Sequence, residues 1–152
     1  MKHFLHILFF LSAMLAFSST TTEAQIVRFK SYRAAEGTSG LDKNGLFSWG
    51  CWGANKTEIT LDLGNESIYV ENLETREAHD YKIFGRPKKW VIKRDHKYVS
   101  FECADQNYDK VNIKLYQYDN GEFRLSVLSL NKAVRYSVVY EDNTMKDKKI
   151  FD

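Results

Sequence analysis

Thr57-Glu58-Ile59-Thr60-Leu61-Asp62-Leu63, followed at once by Gly64-Asn65 and then by Ser67-Ile68-Tyr69-Val70, is the stretch that decides the fold of this chain. Thr57, Ile59, Leu61 and Leu63 fall on one side of an extended backbone, and Glu58, Thr60 and Asp62 fall on the other. That is the period of a strand with one buried face. Gly64-Asn65 tolerates positive φ in a two-residue hairpin loop, so the two apolar runs are expected to pair antiparallel, Thr57 to Leu63 against Ser67 to Asn72.

The same alternation recurs outward in both directions. Val27-Phe29 opens the series. Phe47-Trp49-Cys51, Tyr81-Ile83, Val99-Phe101-Cys103, Val111-Ile113-Leu115, Phe123-Leu125-Val127 and Val134-Tyr136-Val138-Tyr140 continue it, and no segment carries a helical period. Asn120-Gly121 marks a second tight hairpin, between Val111 to Tyr118 and Phe123 to Ser129, while Arg94-Asp95-His96 and Leu130-Asn131-Lys132 read as looser turns. Connections this short forbid parallel crossovers. The expectation is an all-β, antiparallel up-and-down meander of about eight to ten strands. Such a meander must hide two sheet edges, so a closed barrel of the lipocalin/calycin kind is favoured over a sandwich. A barrel of this strand number is either filled by side chains or holds one small ligand.

The N-terminus sets the expected location. Lys2, the apolar run from Phe4 to Phe17, and Thr22-Glu23-Ala24 before Gln25 have the layout of a secretory signal peptide spanning 1–24, with too short an apolar run for a membrane span. Residues 25–142 then form a single all-β domain and 143–152 a charged, frayed tail, with the protein secreted or periplasmic. An outer-membrane barrel is disfavoured: charged residues interrupt both faces of several runs, and most runs are shorter than the ~9–11 residues a spanning strand needs. The formal net charge of +2, with both signs interspersed, disfavours nucleic acid as the main partner.

Ile26-Val27-Arg28-Phe29-Lys30, Phe47-Ser48-Trp49, Ile68-Tyr69, Tyr81-Lys82-Ile83 and Val99-Ser100-Phe101-Glu102-Cys103-Ala104-Asp105 resemble small exported β-rich proteins of the Bacteroidota. The likeness covers most of the chain after the leader. It implies an envelope or extracellular setting and brings no catalytic signature.

Export permits a disulfide. Cys51 and Cys103 each stand on the apolar parity of their run, so a Cys51–Cys103 bond across the core and two separately buried thiols both remain open. No metal site is assigned. His79 shares parity with Tyr81 and Ile83 as a core-edge histidine, and His96 lies in a charged turn. Asp105, Asn107 and Asp109 have the opening spacing of a calcium loop, but Lys110 stands where its glycine belongs and Tyr116 where its closing glutamate belongs; a hairpin loop is the better reading. Gly37-Thr38-Ser39-Gly40 is neither a nucleophile elbow nor, continued to Gly45, a phosphate loop. Glu71, Glu74, Glu77 and Asp80 supply carboxylates without any sign of desolvation. No catalytic residue and no cofactor is assigned.

Two clusters remain. Phe47, Trp49 and Trp52 beside Gly50 and Gly53 form the densest aromatic group, and Trp52 is the first choice for a residue that touches a partner. Arg86, Lys88, Lys89, Lys93, Arg94 and Lys97 crowd Trp90, read first as a solvated charged hairpin and second as a grip on an anionic polymer. Trp49, Trp52 and Trp90 are therefore the candidate ligand-binding residues. The functional expectation is a non-enzymatic binding domain for a small apolar molecule or a cell-envelope component, with a small secreted hydrolase acting on polysaccharide as the alternative.

Overall fold

A computed structural model describes residues 26–39, 47–85, 87, 89–130 and 132–141. The proposed leader and the tail from 143 lie outside the described residues. Among the described residues ten strands run in chain order: β1 (Ile26–Ser39), β2 (Phe47–Trp49), β3 (Gly53–Asp62), β4 (Ser67–Asn72), β5 (Ala78–Ile83), β6 (Val91–Ile92), β7 (His96–Ala104), β8 (Lys110–Tyr118), β9 (Phe123–Leu128) and β10 (Lys132–Tyr140). Eight of them follow the order β1-β3-β4-β5-β7-β8-β9-β10, every described neighbour pair antiparallel, and β10 pairs back onto β1. The fold is an all-β closed barrel, lipocalin-like in architecture, with β2 and β6 as short additions. No helix among the described residues is long and apolar enough to cross a membrane.

The alternation read from the sequence fills the barrel. Val27 and Phe29 (β1), Ile59 and Leu61 (β3), Ile68 and Val70 (β4), Val99 and Phe101 (β7), Ile113 and Leu115 (β8) and Leu125 (β9) form one buried cluster. Each strand contributes its apolar row because a one-residue slip would send that row to water. In the β3–β4 hairpin Ile59 stands opposite Val70 and Leu61 opposite Ile68, the expected register. The expected two-residue loop is longer, however. Four residues, Leu63 to Glu66, join the strands, the Asp62 carboxylate accepts the Asn65 N–H at 3.0 Å, and Glu66 takes the positive φ of 53°. At the β8–β9 hairpin the Tyr118 N–H donates to Glu122 O (2.9 Å) and the Gly121 N–H to Tyr118 O (2.9 Å). Gly121 carries the φ of 83° that a three-residue loop needs at its last position.

Two extra residues reset which side chains face inward. Ser31 pairs with Val138 and Arg33 with Ser137, so Tyr32 is a bulge on β1. Before it the odd residues Val27, Phe29 and Ser31 point in. Beyond it Ala34, opposite Tyr136, and Glu36, opposite Val134, take the inward side. The second irregularity lies between β2 and β3. Trp49 aligns with Gly37 and Gly53 with Ala34, so four steps of one strand cover three of the other. The odd row of β2 therefore faces outward while that of β3 faces inward.

That flip corrects the expectation for the cysteines. Cys103 on β7 is buried in the core at 1% exposure, but Cys51 sits in the crossing from β2 to β3 and is exposed. The two do not occupy facing core positions, and both are free thiols.

Candidate functional site: an open barrel mouth

Leu63, Trp90, Phe123 and Tyr140 pack against the core at the end of the barrel where β3 ends and β9 begins. At the opposite end β10, β8 and β3 begin, and the apolar filling stops short. There a cavity of about 350 Å3 opens, at the small end of the ~300–1,000 Å3 common for ligand sites. Its lining draws on seven of the eight barrel strands: Ala34 and Glu36 from β1, Asn55 from β3, Val70 and Asn72 from β4, His79 and Tyr81 from β5, Val111 from β8, Val127 from β9, and Val134 and Tyr136 from β10. Glu77, Asp105 and Ser129 from the connecting loops and Lys132 complete the rim.

The floor is apolar with two phenols. Burial, reinforced by the negative charges of Asp105 and Glu77, pushes the Tyr81 hydroxyl up to about 12. Burial acts the same way on Tyr136, with Tyr81, Glu77 and Glu36 adding to it. Both phenols therefore stay protonated and able to donate at neutral pH. Above them Glu36, Glu77 and Asp105 share the lining with Lys132, so carboxylates outnumber the lysine among the described residues. His79 Nε2 lies 3.1 Å from Glu77 Oε1. The parity that suggested a core-edge histidine is right, but the residue stands at the rim and is half-exposed. A shallow trough of about 570 Å3, lined by Asp109, Lys110, Asn112, Leu128 and Leu130, adjoins the mouth and shares Asp105 and Ser129 with it.

The Asp105 loop behaves as a hairpin. Its carboxylate oxygen Oδ1 accepts the N–H groups of Asn107 (2.8 Å) and Asp109 (2.9 Å), which uses it as a backbone cap. No three His, Cys, Asp or Glu side chains among the described residues converge as a metal site.

The three tryptophans singled out in the sequence are separated. Trp49 and Trp52 share the outer surface beside β1. The Trp49 ring closes over Gly37, where an added Cβ would come within 3.0 Å of it, and Arg135 lies 4.0 Å from its centroid. Trp52 is flanked by Arg33 at 5.5 Å and Arg124 at 5.6 Å. Trp90 is elsewhere, packed on the core with the Lys97 ammonium 4.7 Å from its ring centroid. Arg86 and Lys88 of the basic loop lie outside the described residues.

Of the mouth residues, His79, Glu77 and Asp105 were weighed from the sequence as metal-binding or catalytic groups and set aside, and none was a ligand-binding candidate. Glu36 reaches the lumen only because the Tyr32 bulge reverses its parity. Tyr81 and Tyr136 were read as core, and only closure of β10 onto β1 shows that they floor a cavity. No family model matches this chain, and no curated protein or solved structure matches it.

Proposed function

We propose that this chain is an exported, non-catalytic binding barrel that takes one small ligand in its open mouth. The observation that carries the reading is the mouth itself: a 350 Å3 cavity with an apolar floor, two phenol donors and a rim richer in carboxylates than in lysine. A site of few convergent polar groups over apolar walls is the usual form of a small-molecule pocket. The apolar ligand expected from the sequence is refined accordingly, to a molecule with an apolar body and a positively charged head. Tyr81 and Tyr136 offer ring faces and hydroxyls to such a body, while Glu36, Glu77 and Asp105 attract the cation. The leader-like N-terminus and the resemblance to exported β-rich proteins support a secreted or periplasmic setting.

Phenethylamine and its acidic counterpart 3-phenylpropionate test the site as simple probes. Thermal unfolding should rise with phenethylamine and not with the acid, because only a ligand that binds the folded state stabilises it. Val134→Trp, which fills the mouth from a half-buried position, should abolish the shift. Glu36→Gln with Glu77→Gln should weaken it about tenfold. A null result with both probes, or equal stabilisation by both, overturns the reading.

A further inference from the structure

The outer wall of β7–β10 carries a second surface, distinct from the mouth. Register places its side chains in rows. Ser100, Lys114, Ser126 and Arg135 stand side by side across β7, β8, β9 and β10. Tyr98, Tyr116, Arg124 and Ser137 form the next row. All point away from the core, since their neighbours Val99, Leu115, Leu125 and Val138 are buried inward.

Aromatic rings and cations alternate here. Tyr98 and Tyr116 lie 5.6 Å apart, and Tyr116 and Tyr118 stack at 6.3 Å with 23° between planes. Lys114 lies 5.3 Å from the Tyr98 ring and Arg124 4.5 Å from that of Tyr118, and Trp49 and Trp52 wall the far side. Of the four cations Arg33, Lys114, Arg124 and Arg135, Arg124 is held by a carboxylate: its Nε and Nη2 each donate to Glu122 at 3.0 Å. That bond holds the Glu122 carboxyl below its usual range, with Arg33 adding to the effect. Against these four cations the same wall carries two carboxylates, Glu122 and the exposed Glu102 opposite Asn112, so cations are in excess here on a chain whose formal net charge is only +2.

Ser126 gives the independent sign of an occupant. It is 1% exposed, directly between Lys114 and Arg135, and its Oγ has no hydrogen-bond partner among the described residues. A buried hydroxyl left unpaired is unfavourable, and folded proteins rarely keep one without a partner. Its register neighbours are Lys114 on one side and Arg135 on the other, the first set over the Tyr98 ring and the second over that of Trp49, so a ligand hydroxyl lying between the two cation sites would meet it.

We propose that this face binds an anionic polysaccharide. Acid groups of the polymer meet Lys114 and Arg135, which stand two strands apart, about 10 Å, farther than one small anion can bridge. Its sugar rings lie on Tyr98, Tyr116 and Trp52, and its hydroxyls reach Ser100 and Asn112 on the same wall. Stacking surface flanked by separated cations suits a chain of sugars with acids at intervals. A nucleic acid would favour a denser phosphate-binding groove.

Affinity electrophoresis of the whole protein in gels holding polygalacturonate, dextran sulfate, neutral dextran or single-stranded DNA decides the matter. Retardation by polygalacturonate or dextran sulfate, and none by dextran, is expected. Lys114→Gln with Arg135→Gln should weaken it at least tenfold and flatten its salt dependence. Tyr98→Gln should weaken it about fivefold. Ser126→Ala should weaken it severalfold while leaving the urea midpoint unchanged or raised, which separates a ligand contact from a loss of fold. The proposal fails if neither glycan retards the protein, if DNA retards it more strongly, or if the Tyr98 and Ser126 variants bind as the wild type does.

Discussion

β1 and β10 close the barrel through nine aligned residue pairs, from Phe29↔Tyr140 to Thr38↔Lys132. β5 and β7, neighbours inside the same barrel, meet through two, Lys82↔Ala104 and Ile83↔Cys103. Beyond those pairs the edge of β7 is met by Phe84, whose N–H donates to Glu102 O at 2.8 Å, and by β6 at Tyr98 and Lys97. Backbone hydrogen bonds and the Phe29–Tyr140 ring contact at 4.8 Å hold the closing seam. Side chains hold the inner one: Tyr81, Ile83, Phe101 and Cys103 in the core, with Trp90 packed alongside. Among the described residues, the seam joining strands farthest apart in the chain is the stronger in backbone pairing, and the seam between β5 and β7 has the least of it.

The most severe way to break the comparison is at the closing seam. Val138→Asp should cost about 4–5 kcal/mol or prevent folding, because it leaves an unpaired charge in the core. Val139→Asp, one residue on and 53% exposed, should cost within about 0.5 kcal/mol. Urea unfolding of the pair checks the inward row of β10, and equal losses would mean that the seam is not in this register.

Alkaline pH presses on the inner seam next. The folded state keeps the Tyr81 proton to about pH 12, whereas the unfolded chain releases it near 10. The folded state then holds more protons than the unfolded one, so stability is full below pH 10 and falls as pH rises towards 12. The loss is about 3 kcal/mol for this group alone. Cys103, pushed up to about 12 by burial, adds to the same trend from a lower starting pH. Tyr81→Phe should flatten the fall between pH 10 and 12, as followed by chemical denaturation across that range.

Trp90→Ala should cost about 2–3 kcal/mol, less than a fully buried aromatic because the ring is only half-buried. Trp52→Ala, out on the surface between Arg33 and Arg124, should cost about 1 kcal/mol or less. A reversed order would shift Trp90 from seam to surface.

The smallest effect is kinetic. Cys51 should react with iodoacetamide at once. Cys103, part of the inner seam, should react only as that seam opens, at a rate reporting an opening free energy below that of global unfolding. Amides of Ile83 and Phe84 should likewise exchange before those of Ala34 to Gly37 in β1. If Cys103 labels only on global unfolding, the inner seam is as secure as the closing one.

Much of this was legible in the chain. Strand after strand, from Val27-Phe29 to Val134-Tyr140, appears where period-two alternation places it, and the β3–β4 and β8–β9 hairpins keep their expected partners. The loops came out longer because Asp62 caps Asn65 and because Gly121 sits at the last position of its loop, side-chain and φ details that a dipeptide signal does not carry. Tyr98, Tyr116 and Tyr118 were not singled out from the sequence; they stand outward because Val99 and Leu115 beside them turn into the core, and the Arg124 and Arg135 they accompany arrive from other strands.

The sequence by itself determined that strands form, that they run antiparallel, and which row of each regular strand is apolar, because side-chain alternation and turn chemistry act over a few residues. Only the tertiary structure decided which side of β2 and of the end of β1 faces the lumen. One extra residue at Tyr32, and another between Trp49 and Gly53, reverse a parity that the sequence pattern carries straight through. Those reversals put Glu36 in the mouth and Cys51 outside, and closure of β10 on β1 across about a hundred residues of chain gathers the mouth's lining. A bulge is visible only against its partner strand, and the partner is chosen by the whole barrel.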